Sequence, residues 1–194
     1  MNQIIQFLRT FYSISDQTYL DLLSISKLRR VKAGECYVNS GEIPVHMFTL
    51  VTGVVRAYVR TENGKEYNKK IYIGPSITGS LAAIIKNEPS IYSLEALTDC
   101  EVYTTNYKEY LELGEKNPEI KELYIKMLEI FFMEYERRQL DFLTMSATDR
   151  YLKLKDEVFN IEDLIPQYQI AAYLSITPVQ LSRIRKKLKE INML

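Results

Sequence analysis

The stretch ITPVQLSRIRKKL, residues 176–188, interleaves hydroxyl, amide and cationic side chains with apolar ones. Cations neutralise phosphates, and arginine, glutamine and serine hydrogen-bond base edges, so the chemistry this stretch offers is nucleic-acid recognition. Thr177 suits a helix N-cap and Pro178 the first helical position, where a missing N–H leaves nothing unpaired. With Leu181, Ile184 and Leu188 turned inward, Val179, Gln180, Ser182, Arg183, Lys186 and Lys187 face outward or flank the outward face. From Pro178 to Glu190 five cations stand against one anion, a local charge of about +4 suited to phosphate neutralisation in a major groove. The plain alternative is a solvated cationic face, the usual meaning of a Lys-Lys pair.

Catalysis has no comparable constellation. The chain holds one histidine, His46, and two cysteines, Cys36 and Cys100, so zinc-type ligand spacing is absent and no metal site is expected. There is no nucleophile elbow and no phosphate-cradling glycine loop, and Asp141, Asp149, Asp156 and Glu157 read as solvated helix faces. The sequence is therefore not expected to be an enzyme.

The recognition stretch needs a partner helix. Just before it, Ile170, Leu174 and Ile176 continue the spacing of Leu181 and Ile184, while small Ala171 permits close approach and Ser175 sits in the turn. That is the packing pattern of a helix-turn-helix. Ser146 or Thr148 can cap an earlier helix and open this unit.

Further upstream, the segment from Pro118 to about Met145 lacks internal Gly or Pro, and Ile120, Leu123, Met127, Ile130 and Phe131 recur at three and four. This spacing predicts a helix of about 27 residues. A stripe that long either packs within a monomer or pairs two chains, and symmetric pairing is the commoner solution.

From Val31 to Thr105, short β-branched and aromatic runs alternate with Gly, Asn and Pro, as expected of a compact antiparallel sandwich or roll. In VVRAYVR, Val55, Ala57 and Val59 share one face and Arg56, Tyr58 and Arg60 the other, the pattern of a half-buried strand. Asn63-Gly64 favours the positive φ angles of a tight hairpin. Residues 3–28 carry Ile4, Phe7, Leu8, Leu20, Leu23 and Leu28 at helical spacing, with Ser15 or Asp16 as a cap. Of the 15 tyrosines, Tyr58, Tyr67, Tyr72 and Tyr92 can line a cavity or simply pack in the sheets.

With 25 basic and 25 acidic residues in 194, the net charge is zero, so any polyanionic partner must be met locally. An apolar N-terminal run too broken for a signal peptide, and no run of eighteen apolar residues, point to a cytoplasmic chain with no membrane partner and reduced thiols.

The order of these parts resembles the family of the cyclic-AMP receptor protein and FNR regulators (CRP/FNR). The resemblance is carried by KAGE at 32–35, FTLVTGVVRAY at 48–58, ENGKE at 62–66, Gly74 and Gly79 around PSIT, LEALTDCEV at 94–102 and LSRIRKKL at 181–188. It implies an α+β chain with a β-roll (double-stranded β-helix, cyclic-nucleotide-binding-like) sensory domain at 1–116, a dimerisation helix at 117–145 and a helix-turn-helix domain at 146–194. It further implies a homodimeric transcription regulator on near-palindromic double-stranded DNA, with RNA polymerase as a further partner. Thr177, Val179, Gln180, Ser182, Arg183, Lys186 and Lys187 would face the DNA, and Arg183 matches a family arginine that reads a base. The alternative is a ligand-binding or protein-interaction module whose helix-turn-helix is purely structural.

Several positions depart from the family pattern. An effector pocket would involve Gly79, Ser80, Ser90, Ile91 and Tyr92, but Ser80 stands where a ribose-binding glutamate is usual and Ser90 where an arginine pairs the cyclic phosphate. Losing a bidentate guanidinium leaves a buried phosphate without its main partner, so a cyclic nucleotide is not expected, the small-molecule effector is unknown or absent, and no cofactor is assigned. No cysteine lies in the first 30 residues for an iron-sulfur cluster. Pro178 and Val179 replace a common Arg-Glu pair, Ser175 replaces a turn glycine, and the usual C-terminal β-wing is missing or formed from residues before the helix-turn-helix.

Overall fold

The computed structural model describes residues 3–158 and 160–190. Two short helices, α1 (Gln3–Arg9) and α2 (Asp16–Ser24), lead into the strands. Ser15 is the N-cap of α2, accepting from the Thr18 N–H. Leu28 lies outside the predicted helix, on β1 (Ser26–Val31), and is exposed, as is Leu20. The inward positions of α2 are instead Thr18, Tyr19 and Leu22.

The strands β2 (Cys36–Val38), β3 (His46–Thr52), β4 (Val54–Arg60), β5 (Glu66–Ile73), β6 (Ser76–Thr78), β7 (Ser93–Ala96) and β8 (Cys100–Asn106) complete two four-stranded antiparallel sheets. Their orders are β1-β8-β3-β6 and β2-β7-β4-β5. Between them Phe48, Leu50, Val55, Ala57, Leu94 and Val102 form a dry core, each large side chain contributing about 1.5–3 kcal/mol by leaving water. Only Gly53 separates β3 from β4; its φ is +97°, and a Cβ there would lie 2.5 Å from Cys100 Sγ, so the turn admits no side chain.

Two strand-level expectations are corrected. The β4–β5 hairpin closes at Arg60–Glu66, leaving a five-residue loop; of the predicted pair only Gly64 has positive φ, while Thr61 holds the loop through the Gly64 N–H and the Lys65 carbonyl. And β4 is buried on both faces from Val54 to Tyr58, not half-buried. The reason is that the polar face, with Arg56, is covered by the C-terminal helices.

Helix α3 (Leu81–Lys86) follows β6, and α4 (Tyr107–Lys116) leads into α5 (Pro118–Thr144), 27 residues long as its spacing predicts. Its two halves differ. Ile120, Leu123 and Met127 are buried against Ile4, Ile5, Leu8 and Leu22, and Glu119 accepts hydrogen bonds from Ser15 and Thr18 of the N-terminal segment. Beyond Phe131, by contrast, Phe132, Met133, Tyr135, Leu140 and Leu143 are all more than half exposed.

The last helices are α6 (Ala147–Glu157), α7 (Ile161–Leu164), α8 (Gln167–Tyr173) and α9 (Pro178–Glu190). Ser146 and Asp149 form a capping box at α6, so Asp149 is no idle surface charge; Asp141 pairs with Lys153 and Glu157 with Arg137. Tyr151, Leu154, Ile161, Ile165, Ile170, Leu174, Leu181 and Leu188 form one core. That core continues into the roll through Val54, with Ile71, Ile73 and Leu97 packed against it. Between α6 and α8 the chain forms α7, and no strand follows β8 among the described residues.

Candidate nucleic-acid interface and roll cleft

Helices α8 and α9 pack through Ile170, Ala171, Leu174 and Leu181, all at most 2% exposed. The absent Cβ branch at Ala171 lets α9 approach, as the spacing predicts. Ser175 turns the chain with φ +57°, a left-handed conformation costing about 1 kcal/mol for a residue with a side chain. Thr177 and Gln180 then form a reciprocal cap: the Gln180 N–H donates to Thr177 Oγ1 at 3.2 Å, and the Thr177 N–H donates to Gln180 Oε1 at 2.8 Å. This start fixes Pro178 as the first residue of α9.

Thr177, Val179, Gln180, Ser182, Arg183, Lys186 and Lys187 are all exposed, and Val179 is 60% exposed. Two refinements follow. Gln180 Oε1 is engaged by the cap, which leaves the Nε2 donor of its amide for outward contacts. Arg185 is half-buried and turned to a neighbouring helix: it pairs with Glu162 at 2.8 Å, and Glu162 also accepts from the buried Tyr151 hydroxyl. Four cations therefore remain on α9, Arg183, Lys186, Lys187 and Lys189, none in an ion pair among the described residues. Sequence spacing could not expose the Arg185 partnership, because Glu162 lies 23 positions away on another helix.

The roll carries the second set of predicted residues. Ser80 and Ser90 are 1% and 2% exposed. The Ser90 hydroxyl donates to the Tyr92 carbonyl at 2.6 Å and lies 2.9 Å from Ser80 Oγ. The Tyr92 hydroxyl donates to the Gly79 carbonyl at 2.9 Å, and Lys69 Nζ lies 4.1 Å from the Tyr92 ring centroid. Gly79, Ser80, Ser90 and Tyr92 are thus brought together, and Ile91, 78% exposed, lines the adjoining cleft.

Beside this cluster opens a cleft of 1140 Å³, bounded by Gly79–Ile84, Tyr72 and Tyr92 of the roll, by α5 from Met127 to Phe142, and by Tyr173 of α8. Tyr72 and Tyr92 line it; Tyr58 stacks beneath Arg56, and Tyr67 lies on the surface beside Lys65. On its wall Arg138 lies 3.8 Å from the Tyr173 ring centroid and has no carboxylate partner among the described residues. Burial holds its guanidinium below the usual arginine range.

The model of the cyclic nucleotide-binding domain family matches residues 28–117. Over the whole chain, the c-di-GMP responsive global regulator CLP of Xanthomonas campestris superposes with a TM-score of 0.75 at 15% identity, covering 92% of this chain and 93% of that one. FixK2 of Bradyrhizobium japonicum gives 0.70 at 15% identity, over 87% and 86%. The catabolite activator protein of Thermus thermophilus gives 0.59 at 20%, over 94% and 87%. The chain has the CRP/FNR fold. No curated protein sequence matches it significantly.

Within that fold, the position that resemblance gives to a phosphate-pairing arginine holds a serine already engaged by its neighbours. No arginine or lysine hydrogen-bonds to Ser80 or Ser90 among the described residues, so these two positions offer a cyclic phosphate hydroxyls but no counter-charge. His46 starts β3 beside Phe48, and no group of three His, Cys, Asp or Glu side chains among the described residues is placed to hold a metal. Nor is any described helix long and apolar enough to cross a membrane.

Proposed function

We propose that the protein is a homodimeric, sequence-specific DNA-binding regulator whose β-roll senses something other than a cyclic nucleotide. The observation that carries this reading is the outer face of α9. On a chain with no net charge, four cations with no ion-pair partner among the described residues share one short helix with Val179 and Ser182, and the helix is held by a two-helix core. Arg183 is suited to a guanine edge and Val179 to a thymine methyl, while Lys186 and Lys187 neutralise phosphates.

The second copy is supported by α5. Ile125, Leu128, Phe132, Tyr135, Gln139 and Phe142 recur at alternating steps of three and four, the spacing of a coiled-coil seam, and Phe132 and Tyr135 are 65% and 63% exposed in the single chain. Parallel pairing along this seam carries two copies of α9 to one side of the dimer, as a two-fold symmetric site requires.

Selection from random duplexes tests the reading. A two-fold symmetric motif is expected; Arg183→Ala should relax one position by about 1–3 kcal/mol, and Lys186→Ala should weaken all sequences alike and lower the salt slope by about one. Recovery of no motif by a folded dimer would instead favour a module whose helix-turn-helix is structural. Titration with cyclic AMP or cyclic GMP should give no heat.

A further inference from the structure

The docking of α8 onto the roll contains a buried polar cluster that the DNA-reading face does not explain. Arg56 of β4 is 6% exposed, Asn68 of β5 4% and Gln169 of α8 2%. The Arg56 guanidinium meets Glu95 at 2.6 and 3.0 Å and Glu66 at 2.7 Å. The second N–H of the Nη1 that meets Glu66 reaches Gln169 Oε1 at 3.3 Å. Asn68 Nδ2 donates to the same Oε1 at 2.8 Å and to the Gln169 main-chain carbonyl at 2.9 Å. One glutamine of the helix-turn-helix is thus gripped by two strands of the sensory roll.

We infer that Arg56, Asn68 and Gln169 are positioning residues that latch the reading unit to the roll and thereby set the placement of α9. The inference rests on α9 being the reading helix. Helix α8 is joined to α9 by a short turn and packed on it through Ala171 and Leu181, so what orients α8 orients α9. The three latch side chains are at most 6% exposed, next to strands whose Val54, Ile71 and Ile73 pack on the same helical unit, so water replaces a lost partner poorly. It is also incompletely satisfied: Asn68 Oδ1 is buried with no hydrogen-bond partner among the described residues. An orphan acceptor of this kind weakens the docked state relative to a fully paired interface, which suits a joint meant to open. Finally, Lys69 and Tyr72, on the same strand as Asn68, line the cleft. Displacement of β5 by an occupant of the cleft is therefore passed to Gln169 through Asn68, independently of α5.

Hydrogen exchange on the full-length protein, without DNA, tests the latch directly. Gln169→Leu leaves Arg56 paired with both glutamates, and Asn68→Ala acts from the roll side. Both variants should speed amide exchange across residues 167–173 by about tenfold or more while leaving β3 and β8 protected. In parallel selections both should recover the wild-type half-site sequence with altered or broadened half-site spacing. Unchanged protection in α8 together with unchanged spacing in the two variants would overturn the inference. Should Gln169→Leu lose helical structure, Asn68→Ala decides alone, since it lies outside the helix-turn-helix core. If the wild type selects no motif, the reading of α9 fails, and the exchange rates still decide whether the latch exists.

Discussion

Two polar clusters are buried in the same roll and are built from opposite materials. Ser80, Ser90 and Tyr92 are neutral and satisfy one another and the Gly79 carbonyl. Arg56, Glu66 and Glu95 are ionic, and their spare donor is directed at another structural unit. A guanidinium is difficult to desolvate and persists only where its partners repay that cost. In this roll the buried cation Arg56 sits at the joint with the C-terminal helices, and the Ser80–Ser90 position is left uncharged. The difference is one of placement: the buried charge of this roll is directed at the joint with the C-terminal helices, and none of it lies at Ser80 or Ser90.

The comparison breaks most easily at Arg56. Arg56→Ala strands Glu95 in a partly buried site and leaves Glu66 with Arg60 alone, and a loss of about 3 kcal/mol is expected in urea unfolding. Ser90→Ala should lose less, about 1–2 kcal/mol, because only neutral hydrogen bonds are removed. A reversed order of the two would sink the distinction. Ser175→Gly provides a scale within the docked unit: relief of a left-handed side-chain conformation should gain about 1 kcal/mol without touching either cluster.

Acid should have the smallest effect. Burial raises the Glu66 carboxyl, but hydrogen bonds from Arg60 and Arg56 outweigh it and hold the group below its ordinary 4.5. A depressed carboxylate stabilises the fold above its unfolded value, and that contribution fades as pH falls through the folded one. Glu66 is a quarter exposed, so screening keeps the term small. Unfolding midpoints followed from pH 6 down to 3 should fall more steeply in wild type than in Arg56→Ala, whereas Ser90→Ala should run parallel to wild type.

Local rules made some of these parts legible in the sequence. Ser15, Ser146, Thr177 and Pro178 mark helix starts by their own chemistry, and the 27-residue helix α5 followed from spacing alone. Residues whose role depends on a distant partner were not legible. Arg56 read as a solvent-facing strand residue because the period of two says which face it shares, not what covers that face; the cover is Gln169, 113 positions later. Leu28 extended a helical spacing that strand pairing with β8 overrode. Arg185 counted as a surface cation until Glu162 came beside it. The exposed face of α9 was readable because solvent exposure follows from helical period once its inward leucines are known.

The cap at the start of α9 limits its vocabulary. Glutamine is one of the two side chains that can read adenine through a paired donor and acceptor, and here its acceptor is turned back onto Thr177. On the reading proposed for α9, each half-site is then spelled by an arginine, a hydroxyl, a lone amide donor and a methyl-contacting valine. Such an alphabet distinguishes guanine and thymine but carries few bits per half-site. The information needed to find one operator among many near-matches must come from requiring two half-sites at a fixed distance, which makes rigidity in the dimer part of the code.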